Sequence, residues 1–233
     1  MDVFGIKHII MRRNIAISAI LVFFMSAFAQ NPVFNNPDNR PYWGIRGSFD
    51  ISIPGDMETN GYKVKMFGQG YGGSVGAVYH LPVFANLFFE PGMSLYYDTY
   101  VIDDLYADNG SSDSPQSVDA DIRKFGVRMP LTIGYRFDIW ENAGISILTG
   151  PELTYGFTAR VSGDRYKELG LPVNLYTSAG GHKRFNFLWG VGAGLDINRF
   201  HISIIGYFGL VNMMHSPITL HENVARVAFG YNF

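Results

Sequence analysis

The chain has 233 residues, no cysteine, and 18 basic against 20 acidic side chains, for a formal net charge of −2. Hydrophobes reach 47% while charged residues stay at 16%, which excludes a disordered chain. The missing cysteines exclude a disulfide-framed module, and the balanced charge makes no case for nucleic acid as a partner.

Aromatics at 15% and 27 glycines, with so little charge, suit a membrane protein whose apolar residues alternate with polar ones. The first element is an address. Met11-Arg12-Arg13 is basic, Ile15 to Phe24 is almost wholly apolar, and Ala27-Phe28-Ala29 has the small-residue pattern of a cleavage site. This predicts a signal peptide over 1–29, cut between Ala29 and Gln30. Its apolar core is shorter than the roughly 20 residues of a membrane helix. Translation from Met1 and from Met11 both stay open. Residues 30–41, polar and proline-bearing, form a short periplasmic lead, and residues 42–233 form the main domain.

From there the chain alternates with period two, the mark of a strand with two unlike faces. Trp43, Ile45, Phe49 and Ile51 alternate with Arg46, Ser48, Asp50 and Ser52. Tyr71, Val75, Ala77 and Tyr79 alternate with Gly72, Ser74, Gly76 and His80. Phe89, Met93, Leu95 and Tyr97 alternate with Glu90, Gly92, Ser94 and Asp98. The clearest segment sets Phe125, Val127, Met129, Leu131, Ile133, Tyr135 and Phe137 against Gly126, Arg128, Pro130, Thr132, Gly134 and Arg136. Ile145, Ile147, Leu153 and Tyr155 alternate with Ser146, Gly150, Glu152, Thr154 and Gly156. Phe187, Trp189, Val191 and Leu195 alternate with Asn186, Gly190, Gly192, Gly194 and Asp196. Phe200, Ile202, Ile204 and Phe208 alternate with His201, Ser203 and Tyr207. Finally Ala225, Val227, Phe229, Tyr231 and Phe233 alternate with Arg226, Ala228, Gly230 and Asn232.

Eight segments of about ten residues each match the length of tilted strands crossing a bilayer. Their connections alternate long (53–67, 102–122, 159–183, 212–222) and short (82–86, 138–143, 198–199), as outer loops and periplasmic turns do. In hydrocarbon an open sheet edge would leave unpaired N–H and C=O groups, so the sheet must close. The fold class expected is all-β: an eight-stranded antiparallel up-and-down transmembrane barrel in the outer membrane, both termini periplasmic. Pro91, Pro130 and Pro151 fall inside the strands and are expected at bulges or unpaired positions near strand ends.

Val227, Phe229, Tyr231 and Phe233 look like the C-terminal signal read by the barrel-assembly machinery, which is therefore an expected partner during insertion. Three stretches resemble the PorT-like outer-membrane β-barrel family: Val127 to Phe137, then Gly150-Pro151-Glu152-Leu153, then Gly190-Val191-Gly192-Ala193-Gly194-Leu195. That resemblance implies a small barrel, in some cases an accessory to protein export, and brings no catalytic residues.

The inward positions would carry Arg46, Arg128, Arg136 and Arg226 against Asp50, Glu90, Asp98, Glu152 and Asp196. In so narrow a barrel they form either a plug of salt bridges or a gated ion path or small ligand site. Glycines at 68, 70, 72 and 73 lack the Lys-Ser/Thr of a phosphate loop and read as close packing. His80 and His201 project inward without metal-site spacing. His215, Ser216, His221 and Glu222 could supply a hydrolase triad, which order alone neither establishes nor excludes. Six aspartates between residues 103 and 121 read as a solvated loop or a weak divalent-cation site. Arg160, Arg165, Lys167, Lys183 and Arg184 could meet lipopolysaccharide phosphates or face water. The leading reading is non-enzymatic, without metal or cofactor: an envelope component with membrane lipid, lipopolysaccharide and envelope or secretion proteins as partners. A lipid-modifying enzyme and a narrow channel or ligand-binding barrel are the alternatives.

Overall fold

The computed structural model describes residues 40–59, 62–64, 67–107, 116–140, 142–163, 174–177, 181–215 and 218–233. The expected signal peptide over 1–29, with Ala27 and Ala29, and most of the expected lead over 30–41 lie outside the described residues. The strands are β1 (Tyr42–Pro54), β2 (Met57–Thr59), β3 (Tyr62–Val64), β4 (Phe67–Phe84), β5 (Leu87–Ala107), β6 (Gln116–Trp140), β7 (Ala143–Ser162), β8 (Phe185–Ile197), β9 (Phe200–Gly209) and β10 (Glu222–Asn232).

Eight of them close a barrel in the order β1-β10-β9-β8-β7-β6-β5-β4, and every pairing is antiparallel. The seam runs between β1 and β10, from Gly44 opposite Asn232 to Pro54 opposite Glu222. β2 and β3 form a small separate hairpin within the first long connection.

One end of the barrel carries the three short connections, flanked by the pairs Phe84–Leu87, Trp140–Ala143 and Ile197–Phe200. The first two are tighter than the connections 82–86 and 138–143 read from the sequence, and the third matches the reading of 198–199. Ala85 and Asn198 adopt left-handed φ angles of 48° and 54°, as tight hairpins demand. The long connections all leave from the other end.

Alternation decides which side chains face out. Ile45, Phe49, Val75, Leu95, Ile133, Ile147, Val191, Ile204 and Phe229 are all exposed on the barrel's outside. An apolar band running round the whole molecule belongs in hydrocarbon, not in water. Aromatic pairs border it. Trp43–Tyr79, Tyr135–Phe137 and Tyr231–Phe233 lie toward the short-turn end. Phe49–Tyr71 and Phe125–Phe157 lie toward the long-link end.

Two expectations are corrected. The prolines do not sit near strand ends. Pro91, Pro130 and Pro151 lie well inside β5, β6 and β7, each at a gap in the ladder to the preceding strand, with no register shift. Each pairs normally on its other side, with Leu131, Glu152 and Trp189 respectively. The missing N–H therefore removes pairing toward one neighbour only.

The connection read over 102–122 is also mostly strand, since β5 continues to Ala107 and β6 begins at Gln116. Past the long-link aromatic pairs the alternation changes sign. Tyr100, Ile102, Ala120 and Ile122 are now the buried, inward residues, while Asp121 and Arg123 face out. A search for apolar residues on the outside stops where the bilayer stops. Asp103, Asp104 and Asp119 thus belong to strands, and Asp108 and Asp113 lie outside the described residues. On β7, a register shift opposite Phe125/Gly126 resets the faces: Phe157 points out, but Ala159 and Val161 point in.

Candidate functional site: a charged lumen beneath an apolar cap

The barrel interior is built in layers. Nearest the short-turn end, Arg46 donates from Nη1 to Asn232 Oδ1 at 2.7 Å, and its Nη2 lies 3.2 Å from Glu90 Oε2. His80 Nδ1 lies 3.5 Å from the same carboxylate, and its ring stacks on Tyr42 at 4.3 Å. His201 Nδ1 lies 2.8 Å from Asp196 Oδ1. Gly230 makes room for this layer, because a Cβ there would collide with Arg46. Arg136 reaches Asp138 Oδ1 at 3.1 Å, at the rim.

The middle layer is a closed ionic net. Asp50, at 0% exposure, accepts from Arg226 Nε at 2.8 Å and from Arg128 Nη1. Arg128 also donates to Asp98, and Arg226 donates twice to Glu152. Arg128 lies 4.3 Å over the Tyr96 ring and Arg226 lies 4.4 Å over the Tyr207 ring. Each buried cation therefore has carboxylates and a π face to replace lost water.

Between these two layers a chamber of about 70 Å³ is lined by Ser48, Ser74, Ser94, Thr132, Ser203 and neighbouring residues. It has room for several waters.

Toward the long-link end, Lys124 Nζ donates to Glu222 Oε2 at 3.0 Å and lies 4.5 Å over the Tyr100 ring. The sequence reading missed this buried pair. Lys124 has the inward parity of Gly126 and Arg128, which could have revealed it. Tyr176 enters from the β7–β8 connection and sits over Gly156, where any Cβ would clash with its ring. Arg184 lies 5.1 Å from that ring, and burial raises the Tyr176 hydroxyl above its usual range.

Above this pair the lumen is shut by an apolar cluster. Met57, Phe67, Ile102, Ile122, Val161, Leu175, Met214 and Leu220 are all buried there. The cap draws on β2, four long strands (β4, β5, β6 and β7) and two long connections, so no local pattern announces it.

The other sequence candidates fall as follows. All nine lumen charges read from the sequence lie on inward-facing positions. The residues expected to form an assembly signal, Val227, Phe229, Tyr231 and Phe233, alternate outward, and Phe233 N donates to Trp43 O at 2.8 Å. Ser216 lies outside the described residues, and Glu222 accepts from Lys124. Arg165 and Lys167 also lie outside them. Lys183 donates to Asn212 O at 3.1 Å and Arg184 to Phe157 O at 2.8 Å, so both brace their connection. Among the described residues no group of three or more His, Asp or Glu side chains is placed to hold a metal ion.

A family model described as the outer membrane protein beta-barrel domain matches residues 28–215. No curated protein matches the chain. Among solved structures, outer membrane protein OprG of Pseudomonas aeruginosa is similar over 85% of this chain and 98% of its own, at 13% identity and a TM-score of 0.50. Neisserial surface protein A is similar over 82% and 97%, at 10% identity and 0.40. The attachment invasion locus protein Ail of Yersinia pestis, solved with the heparin analogue sucrose octasulfate, is similar over 83% and 99%, at 15% identity and 0.38. The likeness to OprG bears on the fold alone. With the family match spanning most of its length, the chain belongs to the outer membrane protein beta-barrel domain family and is an integral outer-membrane barrel.

Proposed function

We propose that this protein is a sealed, non-enzymatic barrel that serves the envelope through its surface, with both termini in the periplasm and the long connections outside. The observation carrying this reading is the double closure of the lumen, ionic around Asp50 and apolar around Ile122. A solute would have to break buried pairs, each worth about 3–5 kcal/mol when one partner is removed. The work then falls to the outward and long-link surfaces. The PorT-like resemblance supports service as an accessory to protein secretion within that role.

Purified protein in planar bilayers tests the seal. No steady conductance is expected, and stable porin-sized steps would overturn the reading. An epitope inserted within 108–115 tests the orientation. It should be accessible to antibody on intact cells, and labelling only after the outer membrane is opened would reverse the assignment.

A further inference from the structure

Arg123 on β6 and Arg160 on β7 stand directly opposite each other and face outward. Like charges opposite one another on a sheet are destabilising unless something lies between them. Neither guanidinium has a carboxylate partner among the described residues. Asp121, one row further from the bilayer, faces out opposite Ser162. The row on the other side holds Tyr97 and Phe125, which pair across β5 and β6 at the border of the apolar band. Together with Thr158 and Ser162, these four side chains line a surface depression of about 400 Å³.

The depression is therefore two-sided: aromatic toward the acyl chains, doubly cationic toward the headgroups. A free anion has no use for the aromatic floor, and a neutral lipid has no use for the two arginines. Guanidinium forks match phosphate oxygens in pairs. From this juxtaposition we infer that Arg123 and Arg160 clamp one phosphate of a phosphorylated acyl glycolipid of the outer leaflet, with Tyr97 and Phe125 against its chains. This rests on the orientation proposed above, which puts the β6–β7 row at the outer surface.

Full-length protein purified from outer membranes in detergent tests it, with lipid A bisphosphate as the probe and native mass spectrometry counting bound lipid. Wild-type protein should retain the lipid, and Arg123→Gln/Arg160→Gln should lose it about tenfold. Arg199→Gln, at the short-turn end, should behave as wild type. A heat-dependent gel shift verifies that each variant is folded. Equal retention by wild type and the double variant overturns the site. Equal retention of dephosphorylated lipid A, of phosphatidylglycerol, or release by millimolar inorganic phosphate, also overturns it. The epitope measurement reports separately on orientation, so a failed orientation and a failed phosphate clamp give different results.

Discussion

Arg226 and Asp50 face each other across the seam that closes the barrel, with Nε 2.8 Å from Oδ1, although 176 residues separate them in the chain. Asp50 also receives Arg128, so a single carboxylate joins β1, β6 and β10 from inside.

Asp50→Ala should therefore leave two buried cations undermatched and cost about 3–5 kcal/mol. The urea midpoint of the detergent-solubilised barrel, followed by tryptophan fluorescence, measures this. A change below about 0.5 kcal/mol, the scale of an ordinary surface substitution, would mean that the net does not hold the seam.

Gly134 on β6 lies beneath the Phe88 ring, and a Cβ there would collide with it. Gly134→Ala should cost about 1–3 kcal/mol by overpacking. In a Phe88→Leu background the same change should cost less, giving a coupling of roughly 1 kcal/mol in a double-mutant cycle. Additive losses would show that the two residues do not share this space.

Ile147 is 56% exposed within the apolar band, whereas Val101 is 36% exposed beyond its border. Ile147→Arg should destabilise the folded barrel by about 2–4 kcal/mol in lipid vesicles, and Val101→Arg by about 0–1 kcal/mol. Equal effects at the two positions would remove the bilayer from its proposed place on the strands.

Processing gives a further measurable outcome. Intact-mass analysis of protein taken from outer membranes should find Gln30 at the N-terminus. Ala27→Arg should leave the leader attached, and an unchanged mature mass in that variant would relocate the cleavage site.

Much of this architecture is legible in short stretches. The run from Phe125 to Phe137 reveals both its strand and its faces, because a pleated strand inside a bilayer must turn one side to lipid and the other away. The same rule places Asp50, Glu152 and Arg226 inside. It fails where the bilayer ends. Ile102, Ile122 and Val161 carry the opposite polarity pattern, since above the membrane water is outside and the apolar side must turn in. The register shift near Phe157 reverses parity again, and nothing local marks it.

Pairing is a different kind of information. Alternation determines that Lys124 points inward, but Glu222 meets it only because closing the barrel brings β10 and its flanking connection over the same part of the lumen as β6. In the same way the sequence by itself determined the number of barrel strands, their outward faces within the bilayer and nine of the lumen charges, because those follow from neighbours two residues apart. The tertiary structure alone decided which charges neutralise each other, and that an apolar cap seals the long-link end. Both depend on the stagger between strands and on the folding back of distant connections, which bring together residues that no short stretch of chain contains.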